Sequence, residues 1–174
     1  MSEQTPVDPT SLPYAYWTRQ IARLGDREPV KVLAETPFAL AKVIGEHSAE
    51  ALRRETVPDK WTVVEIIAHL CDIDWVLGFR ARTIAFDDHP SFGGMDQDLW
   101  VKRQTARERE PAELLDLFRG TRRGIVDFWR RRSSADMERV GRHDEAGFEL
   151  SLGMLLKIQA GHDLVHLDQI EARV

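Results

Sequence analysis

Apolar residues recur at steps of three and four along nearly the whole chain, and no stretch sustains the strict alternation of a half-buried strand. Side chains at that spacing return to one helix face, so each stretch carries one stripe that must be covered. With no sheet expected, the stripes must cover one another. The chain is therefore predicted to be all-α, and its four long stretches make a four-helix bundle the economical architecture. At 174 residues with 43% hydrophobic content it can bury one sizeable core but is short for two ordinary domains.

Punctuation residues set the expected boundaries. Residues 1 to about 10 are polar and proline-containing and read as a loose tail. Tyr14, Trp17, Ile21 and Leu24 then recur at helical spacing after Pro13, which predicts a short N-terminal helix. Thr36-Pro37 has the form of an N-cap with proline at the first helical position, so the first bundle helix is expected from there to about Gly45, with Val30, Val32 and Leu33 in a preceding turn. Ser48 to Arg54 reads as another short turn of helix, ended by Pro58-Asp59-Lys60. The clearest start follows: Thr62 and Glu65 have capping-box spacing, and Trp61 and Ile66 can close over them as a hydrophobic staple. That second helix is expected to reach about Ala85. A loop with Asp87, Asp88, Pro90, Gly93 and Gly94 comes next, and Pro111 opens a third helix with the stripe Leu114, Leu115, Phe118, Ile125, Phe128 and Trp129. A polar link from Ser134 to Gly147 leads to a last helix from about Ser151 to Arg173.

Charge narrows the partners. A formal charge of −5 and a pI near 5.7 argue against a nucleic-acid binder, because phosphate backbones reward dense positive charge. The arginines at 119, 122, 123, 130, 131 and 132 read as a solvated helix face. No basic start leads into an apolar run, and no window approaches the roughly 20 apolar residues that cross a bilayer, so a soluble, cytoplasmic protein is expected. The single cysteine, Cys71, can form neither an internal disulfide nor a CxxC site, and its position about 200° around the helix from His69 predicts a packed, inert thiol.

Three histidines carry the functional signal. His162 and His166 are four apart, and the seam Leu152, Leu155, Gln159, His162, His166, Gln169 alternates steps of three and four. They continue a leucine stripe and should point into the bundle. His69 lies on an equivalent stripe with Ile66, Ile73, Val76 and Arg80. Buried imidazoles need partners, and one divalent ion satisfies several at once; three neutral nitrogens with no cysteine cluster to close the sphere leave a position for water or substrate. His47, His89 and His143 fall at helix ends or in loops and read as surface residues. Histidines that merely hydrogen-bond in the core remain the alternative.

The segment Lys60-Trp61-Thr62-Val63-Val64-Glu65-Ile66-Ile67-Ala68-His69-Leu70, with the later His162-Asp163-Leu164-Val165-His166-Leu167-Asp168-Gln169-Ile170, resembles the DinB superfamily and, within it, the YfiT-like metal-dependent hydrolases. The resemblance covers residues 28–174 and leaves 1–27 as an N-terminal extension. It implies a bundle, often dimeric, in which three histidines bind zinc, nickel or another divalent ion, and it maps the ligands onto His69, His162 and His166. For chemistry it implies either hydrolysis or transfer to a low-molecular-weight thiol, acting on a small-molecule substrate; a non-enzymatic metal or small-molecule binding protein of the stress response is the competing reading. Around the triad, Gln169 could hydrogen-bond a metal-bound water, Glu65 could serve as acceptor or base although the cap already explains it, and Arg80 could meet a substrate carboxylate. Asp96, Asp98 and Trp100 read as a solvated loop near the mouth of the site.

Overall fold

A computed structural model describes residues 12–174, with side chains from residue 15 onward. The expected tail over residues 1 to 10, and the side chain of Tyr14, lie outside the described residues. The helices are α1 (Leu12–Leu24), α2 (Pro29–Glu46), α3 (Ala49–Leu52), α4 (Val63–Phe86), α5 (Gln97–Arg103), α6 (Pro111–Arg130), α7 (Ser134–Met137) and α8 (Leu152–Glu171), with a 3₁₀ turn at Ala106–Glu108. α2, α4, α6 and α8 form a four-helix bundle. α2 and α4 each pack on both α6 and α8, so the chain passes to the diagonal position from α2 to α4 and again from α6 to α8. α1 lies along α8.

The predicted start of α4 is present in detail. The Thr62 hydroxyl accepts from Glu65 N at 3.3 Å and Glu65 Oε2 accepts from Thr62 N at 2.8 Å, which fixes the helix one turn before His69. Pro111 is the first residue of α6, as its fixed φ favours. The start of α2 differs from expectation. The helix begins at Pro29, with the Glu28 carboxylate accepting from Val30 N and Lys31 N, and Pro37 lies inside it. An internal proline leaves the carbonyl four residues back without its helical donor. That carbonyl belongs to Leu33, and the buried Arg122 Nη1 donates to it at 3.0 Å. Thr36 is no cap: its hydroxyl lies 3.0 Å from Val32 O and 2.7 Å from Asp163 Oδ2.

Among the described residues, three short strands depart from the all-helical expectation. β1 (Ser91–Phe92) pairs in parallel with β2 (Val140–His143), which pairs antiparallel with β3 (Phe148–Ser151), so part of the expected polar link is a hairpin. Its strands do alternate: Gly141, His143, Phe148 and Leu150 face inward while Val140, Arg142 and Glu149 face out. Four residues are too few for that period to stand out. Gly141 is required, since a Cβ there would press into Ile84 and Phe92. Gly147, at φ 73°, closes the turn.

The apolar core falls into two clusters, one around Leu40, Ile67, Leu114 and Phe118, the other around Leu33, Leu77, Ile125 and Leu155. Between them every bundle helix contributes polar residues: Thr36 on α2, His69 and Asp74 on α4, Arg122 on α6, and Gln159, His162, Asp163 and His166 on α8, all buried. The site lies in this layer.

Candidate metal centre

The stripes bring His69, His162 and His166 together. Nε2 of His162 lies 3.2 Å from Nε2 of His69 and 3.1 Å from Nε2 of His166, and all three rings are at most 3% exposed. Zinc–imidazole bonds of ~2.0–2.1 Å at near-tetrahedral angles place ligand nitrogens roughly 3.3 Å apart. In neutral rings a single Nε2–H on His162 could at best be shared between His69 and His166, whereas one cation takes a lone pair from all three nitrogens at once. The donor set therefore fits one divalent ion.

The rings are held neutral, as ligation requires. Burial pushes His69 down to about 3, with the adjacent His166 adding to the effect. Burial likewise pushes His166 down to about 4 against opposing contributions from Gln169 and Asp163, and His162 falls well below its ordinary value through burial and its two histidine neighbours. With Nε2 directed at an ion, Nδ1 of His166 carries the proton and donates to Gln169 Oε1 at 3.0 Å, fixing the ring. Trp61 covers the triad, its ring centroid 4.7 Å from His69 and 6.3 Å from His166.

Beside the triad lies a buried ion network. Arg122 donates from Nε and Nη2 to Asp74 at 2.8 to 3.2 Å, from Nη2 to Asp163 Oδ1 at 3.1 Å, and from Nη1 to Asp163 Oδ2. Gln159 Nε2 donates to Asp74, and Gln159 Oε1 accepts from Trp129 Nε1. Burial raises the Asp74 carboxyl to about 6 in spite of Arg122. One guanidinium facing two carboxylates leaves excess negative charge near the triad, which favours a cation there.

His162 also lines a cavity of about 460 Å³. Its floor runs along α4 from Ile73 to Arg80 and along α8 from His162 back to Ile158, with α1 as the roof. Arg80 is in this cavity, about three turns from His69. Glu65 is occupied by the cap and by Arg107 at 3.3 Å. Asp96 lines the cavity and caps α5, and Asp98 and Trp100, expected in a loop, lie on that helix and line separate pockets. Cys71 is buried with its thiol pushed up to about 12, and it donates to Leu114 O.

Arg122 and His143 are not the surface residues that their sequence context predicts, and Gln20 is a buried residue of the cavity that no sequence motif singles out. Arg122 is buried, and its spacing from Phe118, Ile125 and Trp129 (steps of four, three and four) held the signal that the neighbouring arginines masked. His143 is 5% exposed on β2, between Trp17 and Phe92 in the cavity wall. Gln20 is 1% exposed under the same roof, and its spacing from Trp17 and Leu24 follows the stepping that selected the histidines.

Comparison with known proteins agrees with this architecture. The family model of the DinB superfamily matches residues 33–170. A protein of Oceanobacillus iheyensis that carries the provisional name of metal-dependent hydrolase is 25% identical over 152 residues, which span 87% of each chain. YfiT from Bacillus subtilis, described as "a probable metal-dependent hydrolase with an unusual four-helix bundle topology", shares the fold at a TM-score of 0.74 and 18% identity, covering 99% of this chain and 94% of its own.

Proposed function

The chain belongs to the DinB superfamily, and on that premise we propose that it is a divalent-metal-dependent hydrolase of small molecules with His69, His162 and His166 as ligands. The observation that carries the proposal is the convergence of three buried, neutral imidazoles at the end of a cavity large enough for a small molecule. The names given to its relatives agree with it. Zinc and nickel both suit three imidazole donors. A divalent ion held there supplies Lewis-acid polarisation of the bond to be broken.

The protein's own residues provide the rest. Gln169 aims His166, the Thr62–Glu65 cap anchors the helix that presents His69, and Trp61 packs against the rings of His69 and His166. His162, alone of the three, lines the cavity, and a non-protein ligand reaching the ion from that side would make the site catalytic and not a closed structural one.

The test is metal analysis of the purified protein together with turnover of a panel of small esters and amides by loaded and chelator-stripped samples. About one ion per chain and metal-dependent turnover are expected. Metal without turnover of any substrate would favour a binding protein, and His162→Ala with undiminished metal affinity would refute the ligand set.

A further inference from the structure

The cavity next to the triad is built asymmetrically, and its two ends differ in chemistry. At the triad end, Gln20 of α1 packs its backbone against Gly161, the residue before His162, so closely that any Cβ at position 161 would collide with the Gln20 carbonyl. The Gln20 side chain is 1% exposed and lines the cavity; among the described residues neither its Nε2 nor its Oε1 has a partner in hydrogen-bond geometry, and the Tyr16 hydroxyl, one turn earlier, interacts with the amide only at longer range. A buried amide left so costs free energy unless something supplies both an acceptor and a donor. Beyond Ile73, Leu77 and Ile158 lies Arg80, 8% exposed. Its Nη2 is bound by Gly93 O and its guanidinium sits 5.3 Å from the centre of the Phe92 ring, yet among the described residues no carboxylate comes within ion-pair distance. Glu145 is near enough to favour its charge without neutralising it.

We propose that this cavity binds a small amphiphilic carboxylate carrying an amide, with the amide hydrogen-bonded by Gln20 next to the triad, an apolar chain along Ile73, Leu77 and Ile158, and the carboxylate on Arg80. A primary amide offers a carbonyl to Gln20 Nε2 and an N–H to Gln20 Oε1; a planar guanidinium is suited to a carboxylate. This deepens the hydrolase reading by naming a substrate class. It also makes α1 part of the site, although α1 precedes the matched family region of residues 33–170.

Calorimetry with adipamic acid tests it, with hexanoate as the probe lacking the amide and hexanamide as the probe lacking the carboxylate, on chelator-stripped, zinc-loaded and nickel-loaded protein. Wild type should bind adipamic acid at least tenfold more tightly than either truncated probe. Gln20→Met, which keeps the side-chain volume, should weaken adipamic acid about tenfold and leave hexanoate unchanged; Arg80→Met should weaken both acids and leave hexanamide unchanged. Equal affinity of wild type for all three probes, no binding, or a Gln20→Met protein that binds adipamic acid as wild type does, would overturn the proposal. The wild-type probe comparison decides even if a variant fails to fold. Metal content of the same samples separates the two readings. Probe selectivity in a protein that takes up neither zinc nor nickel refutes the metal-dependent hydrolase alone, whereas one ion per chain without selectivity refutes the substrate class alone.

Discussion

Acidification of the metal-stripped protein from pH 7 to pH 5 should destabilise it through the triad. In the unfolded chain each histidine titrates near 6.5. In the fold His69 and His166 are pushed down to about 3 and about 4, and His162 lies well below its ordinary value. Between those folded values and 6.5 the unfolded state binds protons that the native state refuses, so stability falls as pH falls through that window. At pH 5 His69 and His166 each contribute roughly 2 kcal/mol of loss, from about 1.4 kcal/mol per pH unit over the 1.5 units below 6.5. Together they give about 4 kcal/mol, and His162 adds to the loss in the same direction. Asp74, raised to about 6, works in the opposite sense: its native carboxyl takes up a proton more readily than its unfolded one and returns about 1 kcal/mol at pH 5. The net loss, about 3 kcal/mol before the share of His162 is added, is already a large part of the whole stability of many domains. Urea melts at fixed ionic strength in the presence of chelator measure it, and a variant with all three histidines replaced by Leu isolates the triad's share. Wild type should lose at least about 4 kcal/mol more than that variant between pH 7 and pH 5. Equal losses would show that the imidazoles are not held neutral by burial, and the argument for a preformed ligand set would fall with them.

Other perturbations follow from the same structure. Thr62→Ala should cost about 0.5–2 kcal/mol in a denaturant melt while leaving metal stoichiometry intact, because it removes a cap and no ligand. Arg122→Met should cost on the order of 3–5 kcal/mol, since it strands the buried Asp74 and Asp163 carboxylates; a melt within 1 kcal/mol of wild type would refute the network's role. Gly161→Ala should push α1 off α8 and raise amide exchange in residues 15–24 with little change in α4 and α6, and unchanged exchange in α1 would contradict the close approach.

Much of the site was legible because its rule is geometric. Alternating steps of three and four put His69, His162 and His166 inside without knowledge of any partner, and the Thr62–Glu65 spacing fixed the register of α4. The failures share a cause: a local signal was competing with a tertiary one. Thr36-Pro37 has the local form of a helix start, yet Glu28 caps an earlier start and a residue 85 positions beyond Pro37 supplies the missing donor to Leu33 O. Arg122 stands among surface arginines, and residue type outweighed its position on an apolar stripe. The strands of the hairpin are too short for their alternation to register, so His143 was read as a surface residue although β2 holds it in the cavity wall.

The polar layer explains why the triad can be preformed at all. Apolar contacts are non-directional and resist small rotations of one helix against another only through packing. Here α2, α4, α6 and α8 are joined beside the triad by directional bonds through one guanidinium: Leu33 O on α2, Asp74 on α4, Arg122 itself on α6 and Asp163 on α8. Pro37 contributes by leaving Leu33 O unbonded within its own helix, which gives the arginine a reason to be there beyond charge. Asp163 is adjacent to His162, and Asp74 lies five residues, a little over one turn, after His69. A rotation of α4 or α8 that moved either imidazole off the convergence point would therefore have to break an ion pair in a medium where an unpaired charge is costly. The layer sacrifices apolar core at the middle of the bundle, and in exchange it holds the ligands of the proposed ion to one geometry.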